Sequence, residues 1–181
     1  MQSRTFKRLV VDTSVASAAG GEEATALVSI NCTEFFETFR DECPHHVVMT
    51  PDLSKEWDEY QSEFSATWLA TMIAKKRFYY DRSPENQALC NKIEGTAISD
   101  KERKEMWDDF HLLEAALKTD QTIISLDRSI RELFARATRH VREIRDIIWV
   151  NPEYNEEEEP LDWLKNGAPP EEHRKLRRGI V

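Results

Sequence analysis

The chain has 181 residues, with 25 basic and 34 acidic side chains and a net charge of −9 at neutral pH. That length supports one domain with a sizeable core plus an extension, and no apolar run approaches the ~20 residues of a membrane span. The acidic balance argues against a protein that coats nucleic acid nonspecifically; a nuclease stays open, because catalytic carboxylates count as negative and a bound cation offsets them.

Met1 to Arg8 is polar and basic and leads into a strand, without the apolar core of a secretory signal, so the expected location is the cytoplasm. The cysteines Cys32, Cys43 and Cys90 are odd in number and fit no zinc spacing, and are expected to be reduced and structural. His45 and His46 are adjacent, so alternation along a strand points them to opposite faces and away from one shared metal.

A first buried strand is predicted over Phe6–Asp12, ending abruptly on an acid. In an open parallel sheet, ligands bind in the crevice beyond the carboxyl ends of the strands, so Asp12 stands where chemistry occurs. Gly20-Gly21 breaks the chain. Thr33 is the expected N-cap of an amphipathic helix ending at Pro44, and Val47–Met49 is a second strand. Thr50-Pro51 supplies a capping hydroxyl and a proline at the first helical position. One helix is then predicted to carry Leu53, Trp57, Tyr60, Phe64 and Trp68 on its apolar stripe, bordered by Glu56.

A further helix is expected from Ser83-Pro84 to Gly95. Ser99 and Glu102 have the spacing of a capping box for a helix with Met106, Phe110, Leu113 and Leu117 inward. Asp109 shares the side of Leu112, Leu113 and Ala116; Asp108 is turned away. Thr122–Asp127 is a third strand ending on an acid, Ser129–Thr138 a helix, and Asp146–Val150 a fourth strand stopped by Asn151-Pro152. Strands alternating with helices predict a three-layer α/β/α domain over residues 1–152 with a central parallel sheet of four or five strands. Residues 153–181, with an acidic run, three prolines and the basic run Arg174–Arg178, are expected to form a charged, mobile extension with one turn anchored by Trp163.

Asp12, Glu56, Asp109 and Asp127 are the candidate catalytic and metal-binding residues. Four carboxylates in one crevice raise one another's pKa values; a divalent cation relieves that cost, and oxygen ligands suit Mg²⁺ or Mn²⁺ better than zinc. Such a site supports phosphodiester hydrolysis by an activated water, with no nucleophilic side chain. Ser14, two residues beyond Asp12, is expected to hydrogen-bond a metal-bound water or a phosphate oxygen from outside the ligand set. Lys75, Lys76 and Arg77, followed by Phe78-Tyr79-Tyr80, combine cations for phosphate with aromatics for unpaired bases and form a candidate RNA contact, set against the alternative of a helix end whose aromatics pack inward.

The order Val10-Val11-Asp12-Thr13-Ser14, then Glu56, then Asp109-Phe110-His111-Leu112-Leu113-Glu114-Ala115-Ala116, then Ile123-Ile124-Ser125-Leu126-Asp127, resembles a PIN domain over roughly residues 6–152, and Trp149-Val150-Asn151-Pro152 resembles the way such domains close. The resemblance implies a metal-dependent ribonuclease whose acids map onto Asp12, Glu56, Asp109 and Asp127. It also implies, as in VapC-type toxins, a homodimer whose groove takes an antitoxin peptide. The long segment between Glu56 and Asp109 and the residues after Pro152 depart from that pattern. Alternatives are an RNA-processing or structure-specific nuclease on the same fold, a binding module without catalysis, and a phosphate-accepting fold. The last calls for a lysine after a later strand, where Asp127 stands instead.

Overall fold

The computed structural model describes residues 4–179. In chain order the elements are β1 (Arg8–Val11), α1 (Thr13–Ala18), α2 (Leu27–Asp41), β2 (His46–Met49), α3 (Pro51–Tyr60), α4 (Glu63–Ala74), β3 (Phe78–Tyr80), α5 (Gln87–Glu94), α6 (Asp100–Leu117), β4 (Thr122–Ile124), α7 (Arg128–Ala137), β5 (Ile148–Val150), α8 (Asn155–Glu158) and α9 (Pro160–Lys165). The five strands form one parallel sheet in the order β3-β2-β1-β4-β5, and helices flank it in a three-layer α/β/α arrangement. Val10 at the centre pairs with Val48 on one side and Ile123 on the other. The strand order reverses between β1 and β4. That reversal opens a crevice beyond their carboxyl ends.

The strands are short and apolar because both faces are covered. Leu9, Val10, Val11, Val47, Val48, Ile123, Ile124, Trp149 and Val150 are buried. An aromatic cluster of Phe35, Phe36, Phe39, Trp57 and Trp68 fills the space around α2, α3 and α4. Its indoles are anchored: Trp57 Nε1 donates to the Val11 carbonyl at 3.0 Å and Trp68 Nε1 to that of Phe36 at 2.7 Å.

Several elements differ from the sequence expectation. Helix α2 starts at Leu27, six residues before Thr33. The Thr33 hydroxyl does not cap; it donates to the Ser29 carbonyl one turn back, a bond that lets threonine sit inside a helix, and accepts from Gly21 N–H. Gly21 takes φ +71°, where a side chain would be strained and would also meet Phe64. The long helix expected from Pro51 is two helices, because Ser62 caps a new start and accepts from Ser65 N–H at 3.1 Å. Helix α5 begins at Gln87 under Asn86 rather than at Ser83-Pro84. Half of the expected capping box on α6 forms: Ser99 Oγ accepts from Glu102 N–H, but the Glu102 carboxylate accepts from Ile98 N–H, one residue before the cap, rather than from Ser99. Strand β4 ends at Ile124, so Asp127 caps α7 instead of ending the strand. Strand β5 starts at Ile148, two residues after Asp146.

The extension is not a mobile arm. Lys175 bridges antiparallel to Ile148, and Leu176 N–H donates to the Ile147 carbonyl, so this segment covers the β5 edge. Trp163, Leu164, Ala168 and Leu176 join the core. Buried His45 accepts from Lys7 N–H at Nδ1 and donates from Nε2 to the Leu164 carbonyl. Glu158 holds the segment with one carboxylate, pairing with Arg131 at 2.7 Å and Arg174 at 3.5 Å and accepting from Asn151 N–H at 2.9 Å. The composition that reads as a solvated tail is spent on internal ion pairs.

His46 stacks on Phe6 while His45 is buried, so the two rings part as expected. All three cysteines are buried and unpaired; burial pushes the Cys32 thiol up to about 12 and those of Cys43 and Cys90 to about 11, which leaves them inert at neutral pH. Among the described residues no helix is long and apolar enough to cross a membrane.

Candidate active site

Asp12 follows the central strand, and its N–H continues the ladder to the Ile124 carbonyl at 2.8 Å. It precedes α1 in the capping position but gives that helix no side-chain bond. Its carboxylate is held from the side instead. Ser14 Oγ and Ser125 Oγ each donate to Oδ2 at 2.7 Å, and among the described residues no donor takes Oδ1. Ser14 thus lies beside Asp12, with its hydroxyl given to the carboxylate itself rather than to a water or a phosphate. Burial pushes the Asp12 carboxyl up, and the two serine hydroxyls offset part of that rise.

Asp127 reaches the same edge from the loop after β4. Its Oδ1 caps α7 by accepting from Ile130 N–H at 2.9 Å, and its own N–H donates to Ser125 Oγ at 3.0 Å. Ser125 therefore touches both acids.

Glu56 comes from α3, half-buried beside Trp57. Thr13 Oγ1 donates to its Oε2 at 3.2 Å, and His111 Nε2 lies 3.0 Å from its Oε1. Burial pushes the Glu56 carboxyl up, but the His111 hydrogen bond and charge, with the Thr13 bond, outweigh it and hold the group below its usual range. The His111 imidazole shifts the other way: burial disfavours its charge, and the bond to Glu56 and the nearby acids overcome that penalty.

Asp109 occupies the inward side of α6, half-buried, whereas Asp108 is exposed and pairs with Lys104. Its carboxyl is pushed up to about 7, first by burial, then by the charges of Asp12, Asp127 and Glu56, with His111 opposing them. Asp12, Asp127 and Glu56 thus all act on the Asp109 carboxyl through their charge. Asp81, which follows β3, is a fifth acid on this edge; its Oδ1 accepts from the Ser83 N–H and hydroxyl, and the charges acting on the Asp109 carboxyl do not include it.

Thr13, Ser125 and His111 were not singled out as site residues. Thr13 and Ser125 each adjoin a strand-end motif, and a hydroxyl beside a strand-terminal acid was the available signal; His111 gave none, since its contact with Glu56 spans 55 positions. The proposed RNA contact does not join the site. Lys75, Lys76 and Arg77 precede β3 and so lie at the amino ends of the strands, opposite the acids. Arg77 also spends its guanidinium on the carbonyls of Phe39, Arg40 and His45, closing the end of α2. Arg174 is buried in its ion pairs and offers nothing to a phosphate.

The site's oxygen donors are of the kind that suits a hard divalent cation. Among the described residues no three His, Cys, Asp or Glu side chains are already gathered as a metal cage. Beyond Glu56 and His111 a groove of about 450 Å³ runs between α3 and α6, lined by acids with Lys55, Tyr60 and Trp107. Comparison with protein-family models, curated proteins and solved structures gave no match.

Proposed function

We propose that the protein is a Mg²⁺- or Mn²⁺-dependent endoribonuclease of PIN type, cutting RNA phosphodiester bonds as the toxin of a toxin–antitoxin pair. The observation that carries this reading is the tie between Asp12 and Asp127: Ser125 donates to Asp12 Oδ2 and accepts the Asp127 N–H, which holds both acids at one edge of the sheet. That edge lies at the switch point of a parallel sheet, where such folds take ligands. The Asp109 carboxyl, pushed up to about 7 first by burial and then by the charges of Asp12, Asp127 and Glu56, supports it.

Asp12 Oδ1, Asp109, Glu56 and the Oδ2 of Asp127 are the oxygens available to hold a cation. When bound, a divalent cation lowers the pKa of a coordinated water and offsets charge developing on the phosphate. The residues around it have separable tasks. Ser14 and Ser125 fix Asp12 by bonding one oxygen and leaving the other. Burial and the neighbouring acids raise the Asp109 carboxyl to about 7, and a bound cation would favour its ionised form. Asp127 keeps one oxygen on the α7 backbone, which fixes the other. The antitoxin and the homodimer belong to this proposal through the PIN resemblance, and a cytoplasmic location through the polar, basic N-terminal residues.

The test is incubation of a mixed single-stranded and structured RNA pool with the protein in Mn²⁺, Mg²⁺ or EDTA, beside Asp12→Asn. Cutting that needs the metal and is lost in Asp12→Asn supports the assignment. No cutting, with no Mn²⁺ binding by calorimetry, overturns it.

A further inference from the structure

His111 lies on α6 two residues after Asp109, with 11% of its side chain exposed. A carboxylate oxygen only accepts, so the 3.0 Å contact with Glu56 Oε1 requires the proton on His111 Nε2. Thr13 takes the other oxygen, Oε2, from the start of α1. Each oxygen of Glu56 therefore has one donor, and the two donors come from different elements. The backbone of α3 is fixed next door by the Trp57 bond to the Val11 carbonyl, but the Glu56 side chain is 35% exposed and has rotamer freedom of its own. His111 and Thr13 remove it.

The other ring nitrogen sharpens the point. His111 Nδ1 is buried with no hydrogen-bond partner among the described residues. A sealed, unpartnered ring nitrogen is unfavourable, and leucine fills such a space without that cost. Packing alone does not account for histidine here; the bond from Nε2 does.

We propose that His111 is a positioning residue that, with Thr13, sets the Glu56 carboxylate in the crevice. It acts through Glu56 and touches neither RNA nor cation. The inference rests on the cation site proposed above.

Three substitutions test it, each made in the wild type and in Glu56→Gln: His111→Leu, His111→Gln, whose amide nitrogen reproduces the Nε2 position, and His111→Asn, whose amide sits nearer Nδ1. The readouts are Mn²⁺ affinity by calorimetry and the kcat and KM of RNA cleavage, with melting curves to establish folding. His111→Leu and His111→Asn are expected to weaken Mn²⁺ binding about tenfold or more and lower kcat with KM for RNA little changed. His111→Gln is expected to recover most of both. In Glu56→Gln the same changes add little, because the partner through which His111 acts is gone. If His111→Leu does not fold, the contrast between Gln and Asn decides. Equal behaviour of Gln and Asn, or the same loss with and without Glu56, overturns the inference. Shifted Mn²⁺ affinity without any RNA cleavage sinks the nuclease assignment and leaves the positioning role standing. Cleavage with wild-type Mn²⁺ affinity in every His111 variant does the reverse, and a wild type that binds no Mn²⁺ overturns both.

Discussion

Ser125 donates to Asp12 Oδ2 at 2.7 Å while its oxygen accepts the Asp127 N–H at 3.0 Å. One buried hydroxyl thereby spaces two acids that are 115 positions apart in the chain. Removing it as Ser125→Ala unties Asp12 on one side and leaves the Asp127 N–H unpaired. The expected cost is about 1–3 kcal/mol in urea denaturation, with Mn²⁺ affinity down about tenfold. Ser125→Ala at wild-type stability and affinity would show that the bond does not organise the site.

Asp109 links the site to pH. Its folded value of about 7 lies above the ordinary 3.8, so it contributes stability fully below pH 3.8, and that contribution is lost as pH rises through 7. Asp109→Asn removes the buried charge. In the cation-free protein it is expected to raise the melting temperature by several degrees at pH 8 and to change it little at pH 4. A variant that melts lower than wild type at pH 8 contradicts the charge excess.

The same proton couples to the cation. Binding requires an ionised Asp109, so Mn²⁺ affinity is expected to rise up to about tenfold per pH unit below 7 and to flatten above it. Calorimetry from pH 5.5 to 8 in two buffers of different ionisation heat counts the proton released. In Asp109→Asn the release should fall, leaving what the raised Asp12 carboxyl contributes.

Much of this arrangement was legible in the sequence, and its gaps have physical causes. Asp12 was visible because a buried parallel strand reads as an unbroken apolar run, and Asp109 because helical spacing separates it from Asp108. The start of α2 was missed since Thr33 looks like a cap while its hydroxyl bonds within the helix. β3 was read as a basic, aromatic nucleic-acid contact because three residues carry no measurable alternation, and their pairing with β2 is a tertiary fact. Residues 153–181 read as a solvated tail because composition counts charges and not their partners. His111 and Thr13 could only be found once α3, α1 and α6 were packed together.

That last segment gives a stability test. Glu158 serves Arg131, Arg174 and the Asn151 N–H, and both guanidiniums are largely buried. Glu158→Gln leaves Arg131 without a counter-charge and Arg174 with Glu171 alone, at an expected cost of about 3–5 kcal/mol. The exposed neighbour Glu157→Gln is expected to change stability by less than about 0.5 kcal/mol. Equal effects of the two substitutions in urea denaturation would leave the extension without its anchor.

Cleavage by Asp12→Asn, Asp109→Asn and the double variant, measured beside wild type in saturating Mn²⁺, tests most directly that the four acids act as one site. Each single change is expected to cost about a thousandfold or more, and the double change no more than the worse single, because groups acting as a unit are not additive. Single variants that still cut RNA, or losses that multiply in the double variant, would contradict a shared metal-dependent centre.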